Sequence, residues 1–426
     1  MNRSLRWFVA ESPRPRRVAT WAGAPWLAVA TVCLGAFLGQ FDASVVTLAL
    51  PALRDDFGAS PEWVSLAYLL TLAAFVAPIG KWSDRRGRKL VYLYGFVVFT
   101  GASVACALSR DLDVLIAFRV VQALGAAMLQ ANSVALVVAA VPRDRMRKAL
   151  GVQATAQALG LALGPTVGGL LVEAFGWQWV FLINVPVGVA ALVAGHFLLP
   201  RTHERGSGPV DGLAVVLLAT ATTALLLVLS GASPFLLLLA LPAGVGYVWR
   251  EPLVRRVKGG LVGAVCGYLV LFGPLVLVPF TSDRGPFETG LLLTALPVGF
   301  ALGAASPWRV PRAGAALSTV ACGVLAWHVH PVALVALGLG LGLFTPANNA
   351  AVLGALPRGD AGSGGGLVNL ARALGTAFGV AVPLFVHAQW GARVAFGALA
   401  VIALVTVCTP IGDKRPCLRP RVPPDQ

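Results

Sequence analysis

Three ionised side chains fall inside stretches otherwise apolar enough to cross a membrane: Asp42, Arg119 and Arg372. A charge at bilayer depth costs about 2.5–3.5 kcal/mol on insertion scales, so it marks a functional group by default. Asp42 is the one acid inside any apolar stretch, and a lone carboxylate there can carry a proton or pair with a cation to hold helices together. Arg119 lies about six residues in from the end of its own stretch, roughly 9 Å deep at 1.5 Å per residue. Asp42 sits about nine residues before Pro51, at a similar depth. The pair therefore has the types and placement for proton coupling. Arg372 is near mid-span in a later stretch, as a substrate contact or as a partner of Asn348 or Asn349. Amides supply the other buried polarity: Gln122, Gln130, Gln153, Gln157, Asn348, Asn349 and Asn369 can line a cavity. Gln130 and its neighbour Asn132 can equally bond an adjacent helix.

Two further stretches carry placed residues. Gly80-Lys81-Trp82-Ser83-Asp84-Arg85-Arg86-Gly87-Arg88-Lys89 has six charges in ten positions between two long apolar runs. Such a segment cannot lie in hydrocarbon and predicts a short hairpin loop. Gly160, Gly164 and Gly168 recur at four-residue spacing, stacking on one helix face where another backbone can approach. Pro165 bends the helix there by removing a backbone bond, and Gly169 adds another small position.

These residues need membrane helices to position them. The chain of 426 residues is 57% hydrophobic and 12% charged, against about 25% charged in soluble domains. Runs of about 20 apolar residues read as spans, and roughly fourteen fit: 26–50, 62–79, 90–108, 114–141, 149–172, 179–199, 213–229, 235–249, 261–280, 289–305, 315–327, 331–356, 362–387 and 392–410. The net charge of +15 follows the loops. Only Arg54, Arg110, Arg284 and Arg393 fall on the side opposite the N-terminus, where acids collect instead. This is the positive-inside pattern, with both termini cytoplasmic. The excess of basic residues sets topology and excludes a nucleic-acid partner.

The stretch at 80–89 resembles G-x-x-x-D-R-x-G-R-K, the loop between helices 2 and 3 of the major facilitator superfamily. Residues 41–51 resemble L-D-x-T-x-V-N-x-A-L-P of its fourteen-helix drug/proton antiporters, with Ser44 for Thr and Thr47 for Asn. Residues 119–125 resemble R-x-x-Q-G-x-G, with Ala123 for the first glycine, and 160–169 the antiporter element G-x-x-x-G-P-x-x-G-G. Residues 177–188 resemble W-x-W-x-F-x-I-N-x-P-x-G, read here as interfacial anchoring.

The resemblance implies an all-α polytopic membrane protein of the major facilitator fold: two six-helix bundles plus two inserted linker helices. The boundaries are a basic tail over 1–25, bundles over 26–199 and 259–410, a linker over 200–258, and a tail over 411–426. It implies efflux of a small lipophilic drug or antibiotic-like compound in exchange for protons, by a monomer in the cell membrane. Asp42 and Arg119 would couple protons, and Gly80, Asp84, Arg85, Gly87 and Arg88 would latch the cytoplasmic ends, Asp84 facing the glycines at 362–366. The alternatives are a proton-coupled importer, against which the 160–169 element argues, and a polytopic membrane enzyme, which lacks paired acids or a His/Cys cluster. The six cysteines show no paired spacing and the five histidines no ligand set, so no metal is expected. No phosphate-binding loop is present, leaving the proton gradient as the energy source and no cofactor.

Overall fold

The computed structural model describes residues 14–15, 20–58, 61–201, 212–229, 233–306, 310–356 and 361–409, and they are almost entirely helical. The two tails lie largely outside the described residues, as does most of the hydrophilic break after Arg201. The first half comprises α1 (Ala24–Val45), α2 (Leu50–Phe57), α3 (Glu62–Arg86), α4 (Arg88–Ala107), α5 (Leu112–Ala140), α6 (Met146–Phe175), α7 (Gln178–Leu182) and α8 (Asn184–Leu198). Next come α9 (Gly212–Leu229) and α10 (Leu237–Arg250). The second half comprises α11 (Pro252–Thr281), α12 (Pro286–Ala305), α13 (Pro311–Leu325), α14 (Pro331–Gly354), α15 (Ala361–Trp390) and α16 (Ala392–Cys408). Among the described residues nine helices are long and apolar enough to cross a membrane, and α3 makes ten when its two arms, bent by 46° next to Pro78, count as one span. Residues 212–228, 234–250 and 392–408 form shorter apolar helices.

The two halves pack by the same scheme. In the first, α1 lies on α6, α3 on α5 and α4 on α5; in the second, α11 lies on α15, α12 on α14 and α13 on α14. They join through α6 against α12 and α3 against α15, and α9 rests on α3 and α15 beside that seam. Small residues permit the approach. Gly299 and Gly303 of α12 meet carbonyl oxygens of α14 where any side chain would collide, the packing by which lipid-embedded helices associate without a hydrophobic drive between them.

Three local outcomes differ from the sequence expectation. The charged segment 80–89 is not a loop: α3 continues through Arg86 and α4 begins at Arg88. Gly87 alone makes the turn, at φ 109°, which L side chains rarely adopt. The first span stops being α-helical at Val45, tightens into a 3-10 turn over Val46–Leu48, and α2 follows, with Pro51 in its first turn. The sixth span is divided at Ile183 into α7 and α8, so Asn184 stands at the first position of α8.

Candidate functional site

Asp42 is completely buried and Arg119 is 1% exposed. α1 carries the carboxylate, α5 the guanidinium, and the tight packing of α4 on α5 beside Gly125 brings the supporting groups in. Arg119 Nη1 donates to Asp42 Oδ2 at 2.7 Å and to Gln122 Oε1 at 2.6 Å. Gln122 Nε2 donates to Asp42 Oδ1 at 3.1 Å and to Ser103 Oγ at 2.8 Å. Asn184 Nδ2 donates to the same Oδ1 at 2.9 Å. Arg119 Nε donates to the Val64 carbonyl at 2.9 Å, and its guanidinium lies over the Tyr68 ring at 4.1 Å. A buried charge needs a partner and a full set of hydrogen bonds, and this carboxylate has both. Five helices (α1, α3, α4, α5 and α8) thus converge on one ion pair.

A second cluster sits at the seam between the halves. Arg372 of α15 donates from Nη2 to Gln130 Oε1 of α5 at 2.8 Å and from Nη1 to Gln157 Oε1 of α6 at 3.3 Å. These three residues line a narrow pocket with Gly35, Ala36, Gln40, Leu129 and Ser133, with room for about one water.

The family model described as Major Facilitator Superfamily matches residues 32–314, a stretch containing the Asp42 network and the α6–α12 seam. The chain belongs to that superfamily. It is therefore a membrane transporter and not an enzyme. The Riboflavin transporter RibZ of Clostridioides difficile (strain 630) is 30% identical over 399 residues, covering 83% of this chain and 87% of the relative. The Methylenomycin A resistance protein of Streptomyces coelicolor is 30% identical over 449 residues, covering 93% of each. Among solved structures, that of the POT family transporter PepTSo superposes with a TM-score of 0.71 at 14% identity, covering 91% of this chain and 97% of that one.

Within this major facilitator chain, Gly160, Gly164 and Gly168 face α1, at Phe37, Ser44 and Val45, while Gly169 faces the second half at Pro286. The element around Pro165 therefore joins α6 to two neighbours. Glu173 extends the seam: its Oε2 accepts from Phe287 N at the start of α12, at 3.0 Å.

Of the amides expected along a cavity, Gln130 and Gln157 line the pocket, whereas Gln122 belongs to the Asp42 network. Gln153 is 2% exposed and its Nε2 has no partner among the described residues. Asn132 bonds back to its own helix at Met128 O. Asn348 donates to Gly260 O at 2.8 Å, and Asn349 Oδ1 is buried without a partner among the described residues. Asn369 is half-buried on α15. The hydrogen bonds of Arg372 thus go to Gln130 and Gln157, not to Asn348 or Asn349.

Asp84 pairs with Arg88 at 2.7 Å across the Gly87 turn, and Arg85 is exposed. Among the described residues Gly80 has only Ala131 Cβ near it, at an ordinary 3.8 Å from where a Cβ would stand. The side-chain level of 361–365 lies outside the described residues, and with it the expected Asp84 contact there.

Two buried residues of structural weight escape the sequence reading. Asn184 sits in a motif read as anchoring, yet it bonds Asp42; an amide opening an apolar helix is the signal that was available. Lys89 was counted with the basic loop, yet it is completely buried. Its Nζ donates to His196 O and Leu199 O, both at 2.9 Å, satisfying carbonyls at the C-terminus of α8.

Proposed function

We propose that this transporter exports a small drug-like or antibiotic-like compound across the cytoplasmic membrane in exchange for protons, as a monomer that uses no cofactor. The observation that carries the reading is Asp42, a carboxylate without exposed surface held by Arg119, Gln122 and Asn184. The guanidinium lies 2.7 Å away and answers the charge of the carboxylate. A shift of α5 against α1 that withdraws Arg119 leaves a buried charge that has to take a proton to remain buried. Proton uptake and release then follow the conformation. The outward direction is supported by the likeness of residues 160–169 to the antiporter element and by the resistance named for the Streptomyces coelicolor relative. We read fourteen crossings, with α9 and α10 as the inserted pair and the Gly87 turn on the cytoplasmic face. There Asp84 would serve as a latch that frees itself from Arg88 when the two halves close.

One observation favours a second role for Asp42. Its oxygens are fully engaged and it is absent from the residues lining the Arg372 pocket, as a purely structural pair would be. The test of export is expression in an exporter-deficient host, scored for resistance and for accumulation of a panel of antibiotics and dyes. The exporter reading expects resistance with lowered accumulation of at least one compound. Raised accumulation throughout would turn the assignment to import.

A further inference from the structure

Arg372 brings a positive charge to the seam with no acid among the described residues to answer it. Among the described residues the ion pairs are Arg88 with Asp84, Arg119 with Asp42 and Arg145 with Asp144, so no described carboxylate lies within 4 Å of this guanidinium. Its acceptors are two neutral amide oxygens. The 3.3 Å bond to Gln157 is longer than a well-formed N–H···O bond, and a guanidinium has five N–H donors in a rigid fork. That fork fits a planar anion bidentately, with bonds roughly twice as strong as neutral ones. The pocket beside it adds Gln40 and Ser133 as further hydrogen-bonding groups and Leu129 as an apolar wall.

We propose that the Arg372 pocket binds organic anions: compact aromatic or lipophilic compounds carrying a carboxylate or another ionised acidic group. The anion enters as the two halves part and takes the guanidinium, and Gln130 and Gln157, released from it, turn to the polar edge of the ligand. This rests on the reading of the chain as a small-molecule exporter and narrows its substrates away from lipophilic cations, which the unanswered charge repels. It also gives binding a mechanical consequence. The two hydrogen bonds that the ligand replaces run from the second half to α5 and α6 of the first, so occupancy exchanges contacts between the halves.

The test compares two xanthene dyes of opposite charge, fluorescein and rhodamine 6G, by fluorescence anisotropy on the purified full-length protein. Fluorescein is expected to bind more tightly. Arg372→Gln should weaken it about tenfold, the scale set by losing hydrogen bonds to a charged group, and Arg372→Lys should restore part of the loss. Gln130→Glu, which answers the charge with a carboxylate, should weaken fluorescein and strengthen rhodamine 6G. Tighter binding of rhodamine 6G to the unaltered protein overturns the proposal, as does fluorescein binding that neither Arg372→Gln nor Gln130→Glu changes. Transport is measured separately in proteoliposomes under an imposed pH difference. Arg372-dependent fluorescein binding without proton-driven movement keeps the anion site and removes the exporter reading. Proton-driven movement of rhodamine 6G without Arg372-dependent anion binding does the reverse.

Discussion

Gly290 of α12 faces the carbonyl oxygen of Pro165 so closely that a side chain on it would collide with that backbone. One turn away in space, Gly169 meets Pro286 in the same manner, and Thr166 and Thr294 share a hydrogen bond beside these contacts. The proline element of α6 is therefore half of a seam whose other half is Gly290. Forcing bulk into a packed contact costs about 1–3 kcal/mol, so Gly290→Val should bias the seam toward opening. Transport should fall by about tenfold, the factor for 1.36 kcal/mol, while membrane abundance changes little. Cysteine labelling at residues along α12 should rise in the variant. Unchanged labelling with unchanged transport would mean that the seam does not move in the cycle.

Lys89 gives a prediction about stability alone. Removing its ammonium leaves the carbonyls of His196 and Leu199 without the bonds they accept at the end of α8. Hydrogen bonds to a charged group contribute about 1.5–3 kcal/mol each, so Lys89→Met should lower the melting temperature of the detergent-purified protein distinctly. The Asp42 network lies elsewhere in the bundle, so transport per folded molecule should persist. A melting temperature equal to that of the parent would show that water replaces the ammonium there.

Topology rests on α10, a short proposed crossing. With the 3-10 turn over Pro234–Leu236 it covers residues 234–250, about 25 Å at 1.5 Å per residue, just within the lower limit for a span. Reporter fusions near Arg205 and Arg256 should both read cytoplasmic, and one near Asp283 external. An external Arg256 would make α10 a re-entrant segment and reverse every later helix.

The helices were legible because hydrophobic length and loop charge act along the chain. Asp42 and Arg119 stood out for the same reason, as charges where lipid-depth residues are expected. What could not be read was set by contacts between distant segments. The Val64 carbonyl is a partner of Arg119 that no side-chain pattern displays. The burial of Lys89 depends on where α8 ends, and Asn184 becomes a ligand of Asp42 only once α7 and α8 separate at Ile183. The charged stretch at 80–89 misled by composition: charges that cannot lie in hydrocarbon can still lie on a helix that projects beyond it, leaving Gly87 to turn the chain. Arg372 could be placed at mid-span, but its partners belong to the other half.

Asp42 decides between proton carrier and structural pair, and a single substitution does not separate them. Asp42→Asn leaves Arg119 as an uncompensated buried charge, and breaking a buried pair costs about 3–5 kcal/mol. Lost transport in that variant has two explanations, failed coupling and failed folding. The double variant Asp42→Asn with Arg119→Gln removes both charges while keeping amide groups for Gln122, Asn184 and the Val64 carbonyl to bond. Replacing both members of a buried pair is often neutral or stabilising, so its thermal stability should return toward that of the parent. If Asp42 carries the proton, the double variant should fold and bind substrate yet release no protons from vesicles on substrate addition. Downhill substrate exchange should survive, because it needs no net proton movement. Should the double variant still concentrate substrate in proportion to an imposed pH difference, Asp42 is a structural residue. The carrier would then be sought at Glu173, whose carboxylate already bridges the halves at Phe287 N, and at Asp84 beside the Gly87 turn.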